Sequence, residues 1–196
     1  MDEVTAVLDG VTIRLREDHD FSFLRRFGKV FCAFDEQDSG NICFGIENGA
    51  EKLFVKYAGA MTIHSDQCGE EAVRRLKRAI PVYEALRHPS LVDLREHISV
   101  NDGYAAVFEW FDGESLHPHW AFAGWDKYHH PDSPFCRYKQ LPVQMRLESL
   151  DAIFEFHEFV ASKGYVAIDF YDGSIMYDFK RNATKICDID LYERRP

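Results

Sequence analysis

Residues 164–192, GYVAIDFYDGSIMYDFKRNATKICDIDLY, constrain the fold of this chain more than any other stretch. Residues 174–177 and 185–187 read as two short strand pieces, each beside carboxylates. Asp169 stands shortly before the first run, and Asp188 follows the second at once. A hairpin-like loop pair brings carboxylates at two strand ends to one point. Asp172, followed by Gly173, and Asp178, at a strand end, read as turn residues.

Size and composition set the frame for that stretch. At 196 residues the chain makes one domain or two small lobes, and 46% hydrophobic content is enough for a core without staples. The net charge is −10, from 23 basic and 33 acidic residues. That balance argues against broad nucleic-acid or anionic-membrane binding. The first ten residues have no basic start and no long apolar core, so they do not read as a signal peptide. No run approaches the roughly 18 apolar residues of a membrane span. Cys32, Cys43, Cys68, Cys136 and Cys187 are odd in number and widely spaced, which predicts reduced thiols in a cytoplasmic protein.

Upstream, Asp9-Gly10 between residues 4–8 and 11–15 signals a hairpin. With the aromatics of 19–27 it predicts a cap on the first lobe. Residues 29–34, 42–46 and 52–57 read as a meander of three short strands, joined by turns at 35–41 and 47–51. A helix over 69–87 has Ser65 or Asp66 as cap, Glu70 and Glu71 on its dipole, and Ala72, Val73, Leu76, Ile80, Tyr83 and Leu86 as its apolar face. Pro81 is expected to kink it. Residues 91–100 and 104–110 read as strands joined by Asn101-Asp102-Gly103. Residues 117–140 predict an aromatic-rich loop. His117, His119, His129, His130 and Cys136 lie in it, at spacings that fit no zinc finger or ribbon. A last helix over 142–163 carries the stripe Leu147, Leu150, Ile153, Phe154, His157 and Val160 or Ala161, with His157 as a partly buried helix histidine.

Two converging carboxylates suit phosphoryl transfer: one orients the attacking hydroxyl, the other holds Mg²⁺. In this light the stretch resembles the protein-kinase-like superfamily, including serine/threonine protein kinases and the aminoglycoside phosphotransferases. Asp169 stands at the aspartate of the catalytic loop His-Arg-Asp-x-x-x-x-Asn. Ala167 and Ile168 replace His and Arg, and Ser174 replaces Asn. Asp188-Ile189-Asp190 stands where protein kinases have Asp-Phe-Gly. Phe54-Val55-Lys56 resembles Val-Ala-Ile-Lys, whose lysine meets the nucleotide phosphates. Gly40 matches the last glycine of the glycine-rich loop, and the other two are absent. Asp35, Glu36 and Asp38 place like charge where phosphates belong, a repulsion of about a few kcal/mol per close pair. Residues 87–92, RHPSLV, resemble the His-Pro-Asn-Ile-Val run after helix C. Glu71 is the favoured partner for Lys56 among Glu70, Glu71 and Glu84. Residues 105–116 resemble the fifth strand and hinge, which makes Glu109, Trp110 and Phe111 the adenine edge.

The resemblance implies an α+β, protein-kinase-like fold, with an antiparallel-sheet N-lobe carrying one helix and a truncated, mainly helical C-lobe. Residues 1–28 are then a strand extension, 29–114 the N-lobe and hinge, and 115–196 the partial C-lobe with catalytic-loop-like and metal-loop-like segments. ATP and Mg²⁺ are the implied cofactors. Asp169 is the catalytic carboxylate, Lys56 the phosphate contact, Asp188 the metal ligand, and Ser174 and Asp190 further oxygen donors. The implied reaction moves the ATP γ-phosphate to a hydroxyl of a protein Ser/Thr or a small molecule. The alternative is an inactive pseudokinase, a scaffold for a protein partner, favoured by the poor glycine loop and by Ser174. The resemblance covers residues 29–192 and stops inside the second lobe. An exposed apolar surface and a homodimer through it are therefore expected.

Overall fold

The computed structural model describes residues 3–36, 39–65, 69–101 and 103–195. The expectations for Asp38, Asp66, Cys68 and the turn residue Asp102 lie outside the described residues. The fold is α+β, with antiparallel sheets and few helices. Contacts divide the chain into two units, Met1–Ile80 with Leu94–Trp110, and Pro81–Asp93 with Phe111–Pro196.

In the first unit, β1 (Val4–Leu8) and β2 (Val11–Leu15) close around Asp9 and Gly10, with φ of 51° and 90°. Positive φ at both central residues is the I′ geometry that matches strand twist, and Asp-Gly adopts it at little strain. The Asp9 carboxylate also accepts the Val30 N–H at 2.9 Å, tying the hairpin to the next strand. The meander of β3 (Lys29–Phe34), β4 (Asn41–Asn48) and β5 (Glu51–Ala58) forms as expected. Two more strands, β6 (Leu94–Val100) and β7 (Gly103–Glu109), complete one antiparallel sheet of order β3-β4-β5-β7-β6.

One face of this sheet is the core. Ile42, Phe44, Ile46, Val55, Tyr57, Ala105 and Val107 pack with Ile13 and Leu15 of the hairpin and with Phe21, Leu24 and Phe27. Pleating sends Lys56, between Val55 and Tyr57, to the other face, opposite Cys43 and Ala106. That face carries Phe34, Phe54, Phe108 and Trp110, in ring contacts of 6.3–6.4 Å. Gly45 belongs to it too: a Cβ there would meet Cys32 Sγ at 2.5 Å and Phe31 Cζ at 2.6 Å.

Helix α1 (Gly69–Ala85) starts where expected and ends two residues early. It remains helical through Pro81, the residue at which the two units divide.

The second unit pairs β8 (Glu114–Ser115), β10 (Ile175–Asp178) and β11 (Ala183–Ile186) in the order β11-β10-β8, and pairs β9 (Tyr165–Val166) with β12 (Glu193–Arg194). Its helices are α2 (Trp125–His129), α3 (Pro134–Lys139) and α4 (Val143–Ser162). Three expectations are corrected here. The predicted aromatic loop contains α2 and α3. The predicted strand over 91–100 begins only at Leu94, because the backbone just before it pairs elsewhere: Ile186 donates to the Ser90 carbonyl at 2.6 Å, and Val92 donates to the Ile186 carbonyl at 2.9 Å.

The third correction concerns α4. Its buried face is Ser149, Ile153, Phe156 and Val160, while Leu147, Leu150 and Phe154, predicted as core, are exposed together with Val143. Both sets recur at helical spacing, so periodicity alone does not choose between them. The choice turns on Ser149, a polar residue buried because its Oγ accepts from Tyr138 Oη at 2.8 Å and Thr184 Oγ1 at 2.7 Å.

Candidate functional site

The two acidic loops of the second unit are joined through their backbones. A 3-10 turn over Asp172–Ser174 uses the Ser174 N–H on the Tyr171 carbonyl at 2.9 Å, so pairing of β10 starts at Ile175. The Ser174 carbonyl then accepts the Cys187 N–H at 2.9 Å, and Cys187 Sγ approaches the Gly173 carbonyl at 3.6 Å. Asp188 follows directly. Ile175 pairs with Ile186 in the same antiparallel ladder.

Asp169 and Asp188 are both exposed, and both act on one buried phenol. Burial first, and then the neighbouring acidic groups Cys187, Asp169 and Asp188, push Tyr192 above its ordinary value. The phenol stays protonated and donates to His157 Nε2 at 2.8 Å. His157 Nδ1 lies 2.8 Å from the Ile153 carbonyl, which only accepts, so Nδ1 carries the ring proton. His157 is thus the helix histidine that the sequence suggests, and it holds the Tyr192 hydroxyl.

Asp188 has φ 55°, the left-handed region that Asp adopts more readily than most side chains. Strained backbone of this kind clusters at functional loops. The next two residues hold it there. Ile189 is fully buried, and its N–H donates to Tyr83 Oη at 3.2 Å. That same hydroxyl donates to Asp190 Oδ1 at 2.9 Å. One Asp190 oxygen is therefore committed to α1.

Among the described residues no three His, Cys, Asp or Glu side chains gather as a metal-holding group. Mg²⁺ asks for less: one or two carboxylates, with water and substrate phosphate filling the remaining positions. Asp188 offers the carboxylate. Ser174 is 0% exposed, and its Oγ has no hydrogen-bond partner, an orphaned hard oxygen beside that loop. Asp188, Asp190 and Ser174 Oγ are hard-oxygen donors that these two loops carry.

The other expected site residues, Phe111 apart, belong to the first unit. Lys56 is half-buried on the aromatic face of the sheet. Gly40 has φ 75°, and a Cβ on it would stand 3.3 Å from Ser65 Oγ and from Ala72 Cβ. Glu71 is exposed in the first turn of α1, where it complements the helix dipole. Glu109 is held by Arg95 Nη2 at 2.7 Å. Trp110 donates its N–H to the Lys52 carbonyl at 3.2 Å, so that amide is committed to the sheet, and its ring meets Phe31 at 4.9 Å. Phe111 opens the second unit, with its ring lying over Gly113.

No protein-family model and no curated protein matches this chain. The site therefore stands on its own geometry.

Two features of that geometry are missing from the sequence reading. The first is Arg14. Its backbone N–H and guanidinium reach Asp35 Oδ2 at 2.8 and 3.4 Å, and its Nη2 reaches Glu36 Oε1 at 2.6 Å. Two of the loop acids that would repel phosphate are thus paired, and they raise the Arg14 pKa in return. The second is a charged cluster beside the Asp169 loop. Lys127 Nζ lies 2.5 Å from Asp172 Oδ2, and His117 Nδ1 lies 3.4 Å from Asp172 Oδ1. Burial, then the Lys127 charge, hold His117 below its ordinary value against the pull of Asp172. Asp172 is a turn residue, as expected, and an ion-pair residue as well. A lone lysine inside the aromatic run 120–135 was the available signal.

Proposed function

We propose that the chain is a protein-kinase-like phosphotransferase that moves the ATP γ-phosphoryl group to a hydroxyl of a protein serine or threonine or of a small molecule. The observation that supports this reading is the Ser174–Cys187 hydrogen bond, which joins the loops bearing Asp169 and Asp188; both carboxylates help raise the Tyr192 pKa. In the reaction a new P–O bond forms to the acceptor oxygen while the bond to ADP breaks. Asp169 orients the acceptor hydroxyl and takes its proton. Lys56 is assigned to phosphate charge. Mg²⁺, when bound, neutralises charge on the β- and γ-phosphates, and Asp188 with Ser174 Oγ would hold it.

A second reading, an inactive nucleotide- or protein-binding module, draws support from Ser174 in place of an amide ligand. Melting with ATP and Mg²⁺, combined with transfer of labelled γ-phosphate, separates the two. A ligand that binds only the folded state adds about 2.7 kcal/mol of stability at a hundred times its dissociation constant. The phosphotransferase reading expects a Mg²⁺-dependent shift that weakens in Asp188→Ala, and label transfer that falls by about 10²–10⁴ in Asp169→Asn. Undiminished transfer by Asp169→Asn would falsify the role of Asp169. A shift without transfer points to the binding module.

A further inference from the structure

Lys127 is the most completely enclosed cation among the described residues of the second unit, at 5% exposure. Its carbonyl accepts Ser133 Oγ at 2.7 Å and Cys136 Sγ at 3.6 Å, which ties its backbone in α2 to the start of α3. Its ammonium lies 5.1 Å from the Tyr128 ring centroid and 5.2 Å from that of Phe135. What it reaches for is Asp172, at 2.5 Å.

Stability alone does not account for such an arrangement. Stripping water from an ammonium is expensive, and well-packed apolar groups generally serve a core as well as a buried ion pair does. What a buried pair supplies is a fixed geometry. The geometry fixed here is that of a short turn: Asp172 opens the 3-10 turn that ends at Ser174, and Ser174 holds Cys187, next to Asp188. Asp169 stands at the other end of the same loop.

We propose that Lys127 is a positioning residue for this loop: its enclosed ammonium, acting through Asp172, holds the turn that carries Asp169 and Ser174. The consequence for turnover rests on the phosphotransferase reading; the consequence for the loop does not.

The test uses the whole chain as Lys127→Met, Asp172→Asn, the double variant and Lys127→Arg. Amide hydrogen exchange over residues 165–176 is read first, and ADP release from MgATP second. Exchange of the loop amides rises about tenfold in each single variant, rises no further in the double, and returns toward wild type in Lys127→Arg. In an active enzyme the ADP-release kcat falls about tenfold, with KM for MgATP within about twofold. Loop exchange unchanged in both single variants, or single losses that multiply in the double, overturns the proposal. A raised KM at unchanged kcat overturns it as well. If wild type neither releases ADP to water nor is stabilised by MgATP, the phosphotransferase reading has failed, and the exchange pattern still decides the role of Lys127. If Lys127→Met does not fold, Asp172→Asn reads the same contact, because Asp172 keeps access to water.

Discussion

The Tyr83 hydroxyl donates to Asp190 Oδ1 at 2.9 Å and accepts the Ile189 N–H at 3.2 Å. One phenol on a helix thus serves both residues that follow Asp188. In Tyr83→Phe a buried amide loses its acceptor and the Asp190 carboxylate loses one donor. The expected loss is about 1–3 kcal/mol, seen as a lower urea midpoint at unchanged slope. A loss below about 0.5 kcal/mol would show that the hydroxyl does not support the loop.

The two faces of α4 give a paired prediction. Phe156 is fully buried and Phe154 is 69% exposed. Phe156→Ala is expected to lose about 3–5 kcal/mol, and Phe154→Ala no more than about 0.5 kcal/mol. Chemical denaturation of both variants checks the ordering. The reverse ordering would restore the stripe read from periodicity.

Alkaline pH tests the Tyr192 environment. The unfolded phenol ionises near the model-compound value of 10.0, and the folded one ionises higher. The unfolded chain therefore releases a proton that the folded chain keeps. The contribution is fully present below pH 10.0 and is lost as pH rises beyond it. Tyr177 is shifted in the same direction, again chiefly by burial. Urea midpoints measured from about pH 8 to about pH 11 should decline, and less steeply in Tyr192→Phe. Equal slopes in the two proteins would remove Tyr192 as a cause.

Arg14→Ala removes the cation that meets Asp35 and Glu36. In the phosphotransferase reading the loop after β3 covers the nucleotide phosphates. MgATP affinity should then fall on the order of threefold to tenfold at low salt, and the gap should narrow at about 0.5 M salt. Titration by melting shift at both ionic strengths measures it. A salt-independent gap would point to lost packing in place of charge.

What the sequence made legible is what local chemistry determines. Asp9-Gly10 encodes a two-residue left-handed turn, and the meander follows from short apolar runs between loop formers. The pairing of β10 with β11 follows from the apolar runs read at 174–177 and 185–187, which have few ways to bury themselves except against each other; the structure sets the strands at Ile175–Asp178 and Ala183–Ile186. Long-range pairing was not legible. Arg14 meets Asp35 and Glu36 across the chain, and no local pattern announces it. Lys127 lies in a short helix that folds by contact with Asp172, Ser133 and Cys136, so the region read as loop. Tyr83 was assigned to an apolar stripe, which its burial satisfies, while its hydroxyl acts on a loop distant in sequence. The orphaned Ser174 Oγ illustrates the same limit. Replacement of an amide by a hydroxyl is visible in sequence, but the absence of a partner is a property of the fold.

The N-terminal hairpin is no appendage. Ile13, Leu15, Phe21, Leu24 and Phe27 are all buried in the sheet's core. At about 1.5–3 kcal/mol each, their burial is comparable with the whole net stability of an ordinary domain, about 5–15 kcal/mol. An expression boundary drawn at Lys29, where the kinase-like pattern begins, would open the hydrophobic interior to water and release Arg14 from the acidic loop in the same cut. The folded unit therefore starts upstream of every motif in that pattern.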